Sequence, residues 1–408
     1  MDSLTQMVLG AACGEAVLGK KIGNRALIWG GFAGTLPDFD VLSSLFMSEL
    51  DSLAFHRGAM HSLLFALVVP FILAGAVQYY YKGTLYKNAL YKWIMYGLGV
   101  LVYLFFSFVL SFLLFSIVGK SALIIPGILL IAGFYLFKYA YIDYILKDQE
   151  FCTANYKDWV WLFFISIVTH PILDSLTTFG TQLFWPFSSY RVSISNISIV
   201  DPLYTFPFLG TVLACGFYNR SDSKRVLINR MGILVSSLYM IATLITKYHV
   251  ETTFKESLKA EQLNYQRTIT VPTIFNSILW YGIAESDTNY YCGYYSIFES
   301  EASFKKLHTL PKSTALLAPY LDQKELKTLT WFSDQFFNAR QISEDTIQYN
   351  DLRYGTLSFE FDKQEDFTFH FLLKKEGDQL RLIGNGERPK PSREVWIKLW
   401  ERIKGNMN

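Results

Sequence analysis

Charged residues are scarce in this sequence, and their scarcity excludes several classes of protein. Only 18% of the 408 residues are charged, whereas 51% are hydrophobic and 17% are aromatic. This composition is too apolar for an ordinary soluble protein of this size and predicts a membrane protein. The formal net charge is only +2, and no dense basic run is interleaved with aromatic residues. Nucleic acid is therefore not an expected partner.

Cysteine is also rare, and the N-terminus lacks the features of a cleaved leader. The cysteines show no CxxC spacing, so neither a thiolate zinc cluster nor a disulfide framework is expected. The first residues, "MDSLTQMVLGAACGEAVLGKK", have no positively charged start and place their lysines after the apolar run. We expect this segment to remain part of the mature fold.

Hydrophobic windows fill the first 248 residues. They fall at roughly 5–19, 26–36, 59–81, 93–118, 122–137, 159–179, 203–217 and 231–246. Several reach the ~20 residues that a helix needs to cross the hydrocarbon core, whereas the first two are short. The pairs Gly10 with Gly14 and Gly30 with Gly34 have the GxxxG spacing that lets helices approach closely. The pattern predicts a polytopic α-helical membrane domain over residues 1–248, with about seven or eight hydrophobic helices.

The sequence changes character after about residue 250. Strand-like alternation in "YYCGYYSIF", "YGTLSFEF" and "FTFHFLL" accompanies the amphipathic stretch "ALLAPYLDQKELKTLTWFSDQFF". These patterns predict a soluble α+β domain over residues 249–408, large enough for a core of its own. Its aromatic residues are expected mainly in that core, and a role as a lid or substrate-binding surface is the alternative.

Basic residues sort onto one side if all eight windows cross the membrane. Only Arg57, Lys120 and Arg191 then fall on the opposite side, so the positive-inside rule makes the basic face cytoplasmic. The C-terminal domain is therefore predicted to be extracytoplasmic. The residues that define the basic face are Lys20, Lys21, Arg25, Lys82, Lys87, Lys92, Lys138, Lys147, Lys157, Arg220, Lys224, Arg225 and Arg230.

Ionisable residues inside apolar segments are functional candidates, because they are costly there unless paired or coordinated. In "THPILDSLTTFG", His170 and Asp174 are four residues apart, so a helix presents both on one face, where they can bind one ion or each other. Pro171 would loosen that helix, as happens beside polar cavities. The alternative is a buried pair that only holds two helices together.

The stretch "FHRGAMHSLL" contains two further histidines and an arginine. His56 and His61 would point about 140° apart on a regular helix, but Gly58 allows a loop that turns both toward one centre. Arg57 between them has the planar fork that suits phosphate oxygens. The alternative for Arg57 is a side chain that reaches the membrane interface.

Acidic residues complete the candidate set. In "GTLPDFDVL", Asp38 and Asp40 follow a helix-breaking proline and can offer oxygens to one cation or to two. An ordinary turn or helix cap is the alternative. Glu15, inside the first window, is a candidate ligand, general base or partner of a polar group. Asp201 can cap a helix, and Arg191 is either part of an interfacial aromatic belt or a lipid head-group contact.

Three histidines and three aspartates from separate segments map to the same side of the membrane. Mixed imidazole and carboxylate ligation suits zinc, iron or manganese, and such ions activate water for phosphoester hydrolysis. The sequence therefore predicts a site for one or two divalent ions, with zinc preferred. The predicted ligands are Asp38, Asp40, His56, His61, His170 and Asp174.

At these residues the sequence resembles a family of bacterial inner-membrane metal-dependent hydrolases that includes a LexA-regulated member of the DNA-damage response. The matching stretches are "MDSLTQMVLGAACGEAVLGKKIGNRAL", "GTLPDFDVL", "HRGAMHS", "THPILDSLTTFGTQLFWPFS", "DPLYT" and "VPTIFNSILWYGIAESDTNYYCGYYSIF". The resemblance implies an inner-membrane hydrolase centred on the Asp-x-Asp, His-Arg-Gly-x-x-His-Ser and His-Pro-x-x-Asp blocks. Ala59 and Met60 depart from the family pattern, which has a bulkier residue and a threonine there. The His-x-x-x-Asp element is also similar to that of zinc-dependent phospholipases C.

The expected function is hydrolysis of a lipid or lipid-linked phosphoester at the outer leaflet by metal-activated water. Arg57 would receive developing negative charge, and Glu15 or Asp40 would accept the proton. The main alternative is a transporter that uses the same residues to bind a cation or relay protons. A structural protein with a closed metal site is a third interpretation.

Overall fold

Four helices in the described part of the chain are long and apolar enough to cross a membrane. The computed structural model describes residues 1–83, 85–118, 123–146, 152–356, 359, 361, 367–385 and 393–406. Within these ranges, the four candidate spans are Leu63–Lys82, Ala89–Phe112, Ile124–Leu146 and Ser223–Ala260. The prediction of a helical membrane protein with a C-terminal domain is confirmed, but the predicted seven or eight hydrophobic spans are too many.

The helices follow one another along the first 260 residues. Their bounds are α1 Ser3–Ile22, α2 Asn24–Thr35, α3 Glu49–Phe55, α4 Leu63–Lys82, α5 Ala89–Val118, α6 Ile124–Ala140, α7 Tyr156–Ser175, α8 Pro202–Gly216 and α9 Ser223–Ala260. Shorter turns lie between them: 3-10 segments at Leu36–Leu45, Ala59–His61 and Leu85–Lys87, and a π-helical turn at Tyr141–Leu146.

Four of the predicted hydrophobic windows form helices that are too short or too polar to count as membrane spans. α2 has 12 residues and α8 has 15, both shorter than the ~20 that cross a bilayer. α1 and α7 are each 20 residues long, but polar residues interrupt their apolar runs, including Glu15 in α1 and His170 in α7. These helices are the ones that carry or surround the candidate site.

The chain divides into two compact units. The first comprises Met1–Pro70, Trp161–Pro391 and Val395–Asn408, and the second comprises Phe71–Val160 with Ser392–Glu394. In the second unit, α5 and α6 pack through tyrosines: the Tyr103 hydroxyl donates to the Leu129 carbonyl oxygen at 2.7 Å. Lys120 and Lys147, which entered the predicted charge distribution, lie outside the described residues.

α1 and α2 form a tight antiparallel hairpin that leads into the candidate site. The hairpin turns at Gly23, whose φ of 60° favours glycine. A Cβ atom at Gly10 would lie 2.4 Å from the Gly30 carbonyl oxygen, and one at Gly14 would lie 2.9 Å from the Gly30 Cα atom. The GxxxG glycines therefore bring the two backbones into direct contact.

α9 connects the helical part of the first unit to the C-terminal domain without a break. Its 38 residues correspond to about 57 Å, nearly twice the thickness of a hydrocarbon core. The predicted domain boundary at residues 248 and 249 lies inside this helix. Beyond it, Val250, Phe254 and Leu258 are fully buried against the first β-sheet, where they contact Trp280.

Two four-stranded antiparallel sheets form the C-terminal domain, with strand orders β1-β2-β3-β4 and β5-β6-β7-β8. The strands are β1 Arg267–Pro272, β2 Leu279–Glu285, β3 Asn289–Ser296, β4 His308–Pro311, β5 Phe337–Gln341, β6 Thr346–Thr356, β7 Phe367–Glu376 and β8 Gln379–Asn385. Two helices complete the domain, α10 Lys324–Phe332 and α11 Arg393–Ile403.

The predicted strand and helix segments correspond only in part to these elements. "YYCGYYSIF" contains most of β3, and "FTFHFLL" lies within β7. Of "YGTLSFEF", the first three residues end β6, while residues 357, 358 and 360 lie outside the described residues. The amphipathic stretch is α-helical only over α10, because Pro319 lies in a preceding 3-10 turn.

Aromatic side chains dominate the core of the C-terminal domain. Tyr281, Tyr290 and Phe367 are buried in a cluster that joins the two sheets. A second cluster lies between the second sheet and α10, and it includes Phe332 together with Leu50 of α3. The second sheet and α10 are therefore packed against the helical part of the first unit, close to the candidate site.

Candidate metal centre

Three separate segments bring the candidate ligands together. Asp38 and Asp40 lie on the 3-10 segment that begins directly after α2. His61 ends the short 3-10 turn before α4. Gly58 lies between the end of α3 and this turn, and it separates the two helical segments. His170 and Asp174 lie on the last turns of α7, four residues apart. The segments therefore meet where the hairpin, the α3–α4 connection and the end of α7 converge.

Asp38, His61 and His170 present three donor atoms to one position, all within 4.8 Å of one another. The two histidine Nε2 atoms are 3.0 Å apart, and the Asp38 Oδ1 atom lies 3.6 Å from that of His61 and 3.4 Å from that of His170. A tetrahedral ion with bonds of about 2.1 Å has ligand atoms about 3.4 Å apart. The spacing of the three atoms therefore fits one face of such an ion.

Asp174 lies beside this triad. Its Oδ2 atom is 3.3 Å from the His61 Nε2 atom and 3.6 Å from the His170 Nε2 atom. This oxygen is buried and makes no hydrogen bond among the described residues. The other oxygen, Oδ1, accepts hydrogen bonds from the Met1 amino group and, at 3.0 Å, from the Gln6 side chain. The same Oδ2 atom lies 3.1 Å from the Arg57 Nε atom, so Asp174 connects the triad to Arg57.

The outer nitrogen of each histidine faces an acceptor. The His170 Nδ1 atom is 2.5 Å from the Gly34 carbonyl oxygen, and the His61 Nδ1 atom is 3.1 Å from the Asp40 Oδ2 atom. Such partners fix the tautomer of metal-binding histidines and leave Nε2 free to ligate. Both rings are therefore oriented as metal ligands.

Asp40 and His56 were predicted as ligands, but the structure places both behind His61. The Asp40 Oδ1 atom is 2.8 Å from the His56 Nδ1 atom, and its Oδ2 atom accepts a hydrogen bond of 2.8 Å from the Arg57 backbone N–H. Both carboxylate oxygens are thus occupied by partners outside the triad. Asp40 orients His61 and connects it to His56.

Burial and the charges of neighbouring residues determine the pKa values of His61 and Asp38. His61, His170 and Asp174 are fully buried, whereas the side chain of Asp38 is 17% exposed and that of His56 is 33% exposed, so the site opens on their side. Burial alone would lower the pKa of His61, but hydrogen bonds to Asp174, Asp38 and Asp40 raise it to about 10. Burial would raise the pKa of Asp38, yet hydrogen bonds from His170 and His61 hold it well below its usual range.

Arg57 borders the site in a constrained conformation. Its φ of 58° is uncommon for a residue with a Cβ atom, and such conformations cluster at functional sites. The guanidinium Nε atom lies 3.1 Å from the Asp174 Oδ2 atom, and Nη1 donates to the Thr177 hydroxyl at 2.9 Å. Arg57 is therefore a buried positive charge directly beside the triad.

Glu15 does not belong to this site. Its carboxylate forms a buried double hydrogen bond with Arg225 of α9, at 2.7 and 2.5 Å. Glu15 also lies nine residues along α1 from Gln6, a distance of about 14 Å. Glu15 was predicted as a candidate general base, but in the structure it forms a structural ion pair.

Asp201 caps α8 as expected and also accepts hydrogen bonds from the Tyr239 and Ser277 hydroxyls.

Sequence reasoning missed two groups that the structure adds. The Gln6 side chain donates to Asp174 and to the His170 carbonyl oxygen, and the Gly34 carbonyl oxygen orients His170. A buried glutamine inside an apolar helix was a detectable signal for the first. The contact of Gly34 with His170 uses a backbone carbonyl oxygen, which every residue has, so the sequence could not indicate it.

Two imidazoles and a carboxylate, with the Asp174 carboxylate beside them, form a donor set that suits zinc, iron or manganese. The fold and this cluster together define a helical membrane protein with a buried histidine–aspartate centre that can hold a metal ion. The chain belongs to the YdjM inner membrane protein family, whose model matches residues 1–119 and 104–250. The matched ranges contain every residue of the centre. No curated protein and no solved structure matches the chain at a significant level.

Proposed function

We propose that this protein is a membrane-bound, metal-dependent hydrolase that acts on a lipid or lipid-linked phosphoester. The observation that supports this most directly is the triad of Asp38, His61 and His170, whose donor atoms surround one position. Catalytic zinc sites use three protein ligands and leave a position open, whereas structural sites use four. A three-ligand set that opens toward solvent at Asp38 therefore favours catalysis over a purely structural role.

A divalent cation, with zinc preferred, would be held by Asp38, His61 and His170, with Asp174 adjacent to it. When bound, such an ion acts as a Lewis acid and lowers the pKa of water to near neutrality. The His61 Nε2 atom lies 3.6 Å from an Asp38 oxygen and 3.3 Å from an Asp174 oxygen. Two carboxylates this close to the ring favour a cation at the position that the three donor atoms share.

Arg57 supplies a fixed positive charge for an anionic group. Its guanidinium contacts Asp174 and Thr177 at one edge and lies 4.7 Å from the centroid of the Phe179 ring. A preoriented, buried guanidinium stabilises the charge that develops on phosphoryl oxygens far better than one surrounded by water.

Asp40 and His56 provide a route for a proton. The Asp40 carboxylate lies between the Nδ1 atoms of His61 and His56, at 3.1 and 2.8 Å. His56 is the most exposed of the three residues. A proton accepted at the His56 ring can therefore leave to solvent without crossing the buried triad.

A lipid-derived substrate fits the surroundings of the site. The 3-10 segment that carries Asp38 also exposes four large apolar side chains, and Phe46 directly after it is exposed as well. The four are Phe39, Val41, Leu42 and Leu45. Exposed apolar patches of this kind mark contacts with lipid or protein. Their position beside the opening at Asp38 favours delivery of a substrate from the membrane.

The orientation proposed for the site is extracytoplasmic. Arg220, Lys224 and Arg225 lie at the N-terminal end of α9, and the C-terminal domain follows its other end. By the positive-inside rule, the N-terminal end is cytoplasmic. Cysteines introduced at the exposed positions Ser221 and Ser300 test this. We expect a membrane-impermeant thiol reagent to label only the second in intact cells, and labelling of only the first would reverse the orientation.

Hydrolysis is tested directly with purified protein in mixed micelles. The substrates are phosphatidic acid and a panel of lipid phosphodiesters, and the readout is release of inorganic phosphate or of the head group. We expect activity that a chelator abolishes, that zinc restores, and that Asp38→Asn removes. Asp322→Asn, at a fully exposed side chain, is the matched control. Metal-dependent cation flux in proteoliposomes without hydrolysis of any lipid would contradict the proposal and favour transport.

A further inference from the structure

Three arginine side chains from different parts of the chain surround two phenylalanine rings next to the metal centre. Arg57 and Arg191 place their guanidinium carbons 4.7 and 4.6 Å from the centroid of the Phe179 ring. Arg191 and Arg353 lie 4.7 and 5.2 Å from the centroid of the Phe332 ring. Phe332 ends α10, and Arg353 lies on β6. This arginine cluster (Arg57, Arg191 and Arg353) therefore connects the metal centre to the C-terminal domain.

The arginine cluster contains more positive charge than its acidic neighbours neutralise. Arg57 faces Asp174, and Arg353 forms an ion pair with Asp351 at 2.6 Å. Arg191 has no carboxylate within ion-pair distance among the described residues, and its N–H groups donate to two backbone carbonyl oxygens. Burial, followed by the charge of Arg353, lowers the pKa of Arg191 to about 9. An anion bound here would offset the unfavourable burial of this charge.

A tyrosine hydroxyl in the same place also lacks a partner. The Tyr354 hydroxyl is buried and makes no hydrogen bond among the described residues. The Tyr354 ring lies 5.4 Å from the Arg353 guanidinium carbon. Buried hydroxyls usually have a hydrogen-bond partner, so the Tyr354 hydroxyl is available to a ligand held by the arginines.

We propose that the arginine cluster and the Tyr354 hydroxyl form a phosphate-binding subsite that holds the phosphate group of the substrate beside the metal centre. Guanidinium forks match phosphate oxygens, and a phosphate anion compensates the excess positive charge. Arg191 is the most exposed of the three arginines and therefore lies at the outer edge of the cluster. The choice of a substrate phosphate rests on the proposed function. The C-terminal domain then has a defined task, because it supplies Arg353 and Tyr354.

The competing explanation is that Arg191 only ties the two parts of the first unit together. It donates to the backbone carbonyl oxygens of Phe179 and of Phe332, which follow α7 and end α10 respectively. A purely structural role predicts a loss of stability without any change in anion affinity. Affinity and stability must therefore be measured separately for each variant.

The experiment measures anion binding to the full-length protein in detergent by calorimetry, in the presence of a chelator so that no metal contributes. The probes are inorganic phosphate and dihexanoyl phosphatidic acid, and dihexanoyl glycerol is the uncharged control. The variants are Arg191→Gln and Tyr354→Phe, the second of which removes only one oxygen atom. Arg381→Gln is the matched control, since this arginine of the same domain is 71% exposed.

We expect Arg191→Gln to weaken binding of the phosphate probes by about ten- to hundred-fold, because a hydrogen bond to a charged group is lost. Tyr354→Phe should weaken it less, and Arg381→Gln should not change it. Equal binding of both phosphate probes identifies a site for the phosphate group alone, and much tighter binding of the lipid identifies a head-group site. Wild-type affinity in Arg191→Gln and Tyr354→Phe, in protein that elutes as a folded species, would overturn the proposal.

The outcome is independent of the hydrolase assay. If the phosphate probes bind through Arg191 but no phosphoester is cleaved, the subsite stands and the proposed enzymatic function fails. If lipids are cleaved equally well by Arg191→Gln and by the wild type, with unchanged probe affinity, the hydrolase stands and the subsite fails.

Discussion

The Nε2 atoms of His61 and His170 lie 3.0 Å apart, with their rings inclined at 69°. Because the Nδ1 atom of each ring faces an acceptor, both Nε2 lone pairs point toward the same space. Two lone pairs at this distance repel each other unless a proton or a cation lies between them. These two nitrogens and the Asp38 oxygen, 3.4 Å from the His170 Nε2 atom, form the three-atom group that could hold a metal ion.

Asp40 and His56 should affect metal binding to different extents. Asp40→Asn weakens the acceptor that orients His61, and loss of such a partner typically lowers metal affinity by about 10- to 100-fold. His56→Gln removes a ring that contacts Asp40, Phe179 and the edge of His61 but presents no nitrogen to the shared position, so zinc affinity should remain close to that of the wild type. Competition with a fluorescent zinc chelator measures both. Equal losses in the two variants would show that His56 is itself a ligand.

Asp174 and Asp38 should differ in their contributions to stability. Asp174→Asn leaves the buried Arg57 without its carboxylate, and breaking a buried ion pair costs about 3 to 5 kcal/mol. Asp38→Asn removes a carboxylate that is 17% exposed and pairs with two histidines rather than with an arginine, so the free energy of unfolding should fall by less. Thermal unfolding of metal-free protein in detergent compares the two, and a greater loss in Asp38→Asn would contradict this account.

The α1–α2 hairpin should tolerate no side chain at its contact. A Cβ atom at Gly30 would lie 2.4 Å from the Gly10 carbonyl oxygen, so Gly30→Ala should cost about 1 to 3 kcal/mol through forced backbone shifts. It should also lower metal occupancy, because α2 leads directly to Asp38. Gly210→Ala in α8 is the matched control, since nothing lies within 4 Å of its added atom. Equal thermal stability of the two variants would show that the close contact is not required.

Glu15 should matter for stability and not for chemistry. Glu15→Gln weakens a buried ion pair with Arg225 and should lower the unfolding temperature of the protein. The metal content of the folded fraction should stay at the wild-type value, because the ion pair lies far along α1 from Gln6. Loss of metal or of hydrolysis in folded Glu15→Gln protein would restore Glu15 as a member of the site.

The sequence indicated which residues form the candidate site better than it indicated the role of each residue within it. Histidines and aspartates stand out in apolar segments, so Asp38, His61 and His170 could be singled out from the sequence. Which carboxylate faces the shared position and which one orients a histidine depends on the path of the 3-10 segment after α2. For that reason Asp40 could not be assigned its place behind His61 from the Asp-x-Asp pattern.

The number of spans and the contribution of the C-terminal domain were harder to predict, for different reasons. A window of hydropathy does not distinguish a short helix packed inside a protein from one that spans a bilayer, so α2 and α8 were counted with the spans. Arg353 and Tyr354 lie about 180 residues beyond His170 in the chain. Only tertiary packing places Arg353 beside Phe332 and the Thr178 carbonyl oxygen, and no local pattern records those contacts.

The central claim, one metal centre built from separate segments, is tested most directly by elemental analysis of protein purified in detergent without chelators. We expect zinc, manganese or iron near one equivalent in the wild type, as the triad of Asp38, His61 and His170 implies. His61→Ala and His170→Ala should each lose nearly all of it, whereas the matched control His249→Ala, at an exposed position of α9, should retain it. Metal that persists in His61→Ala or His170→Ala, or a wild-type protein without metal, would contradict the account.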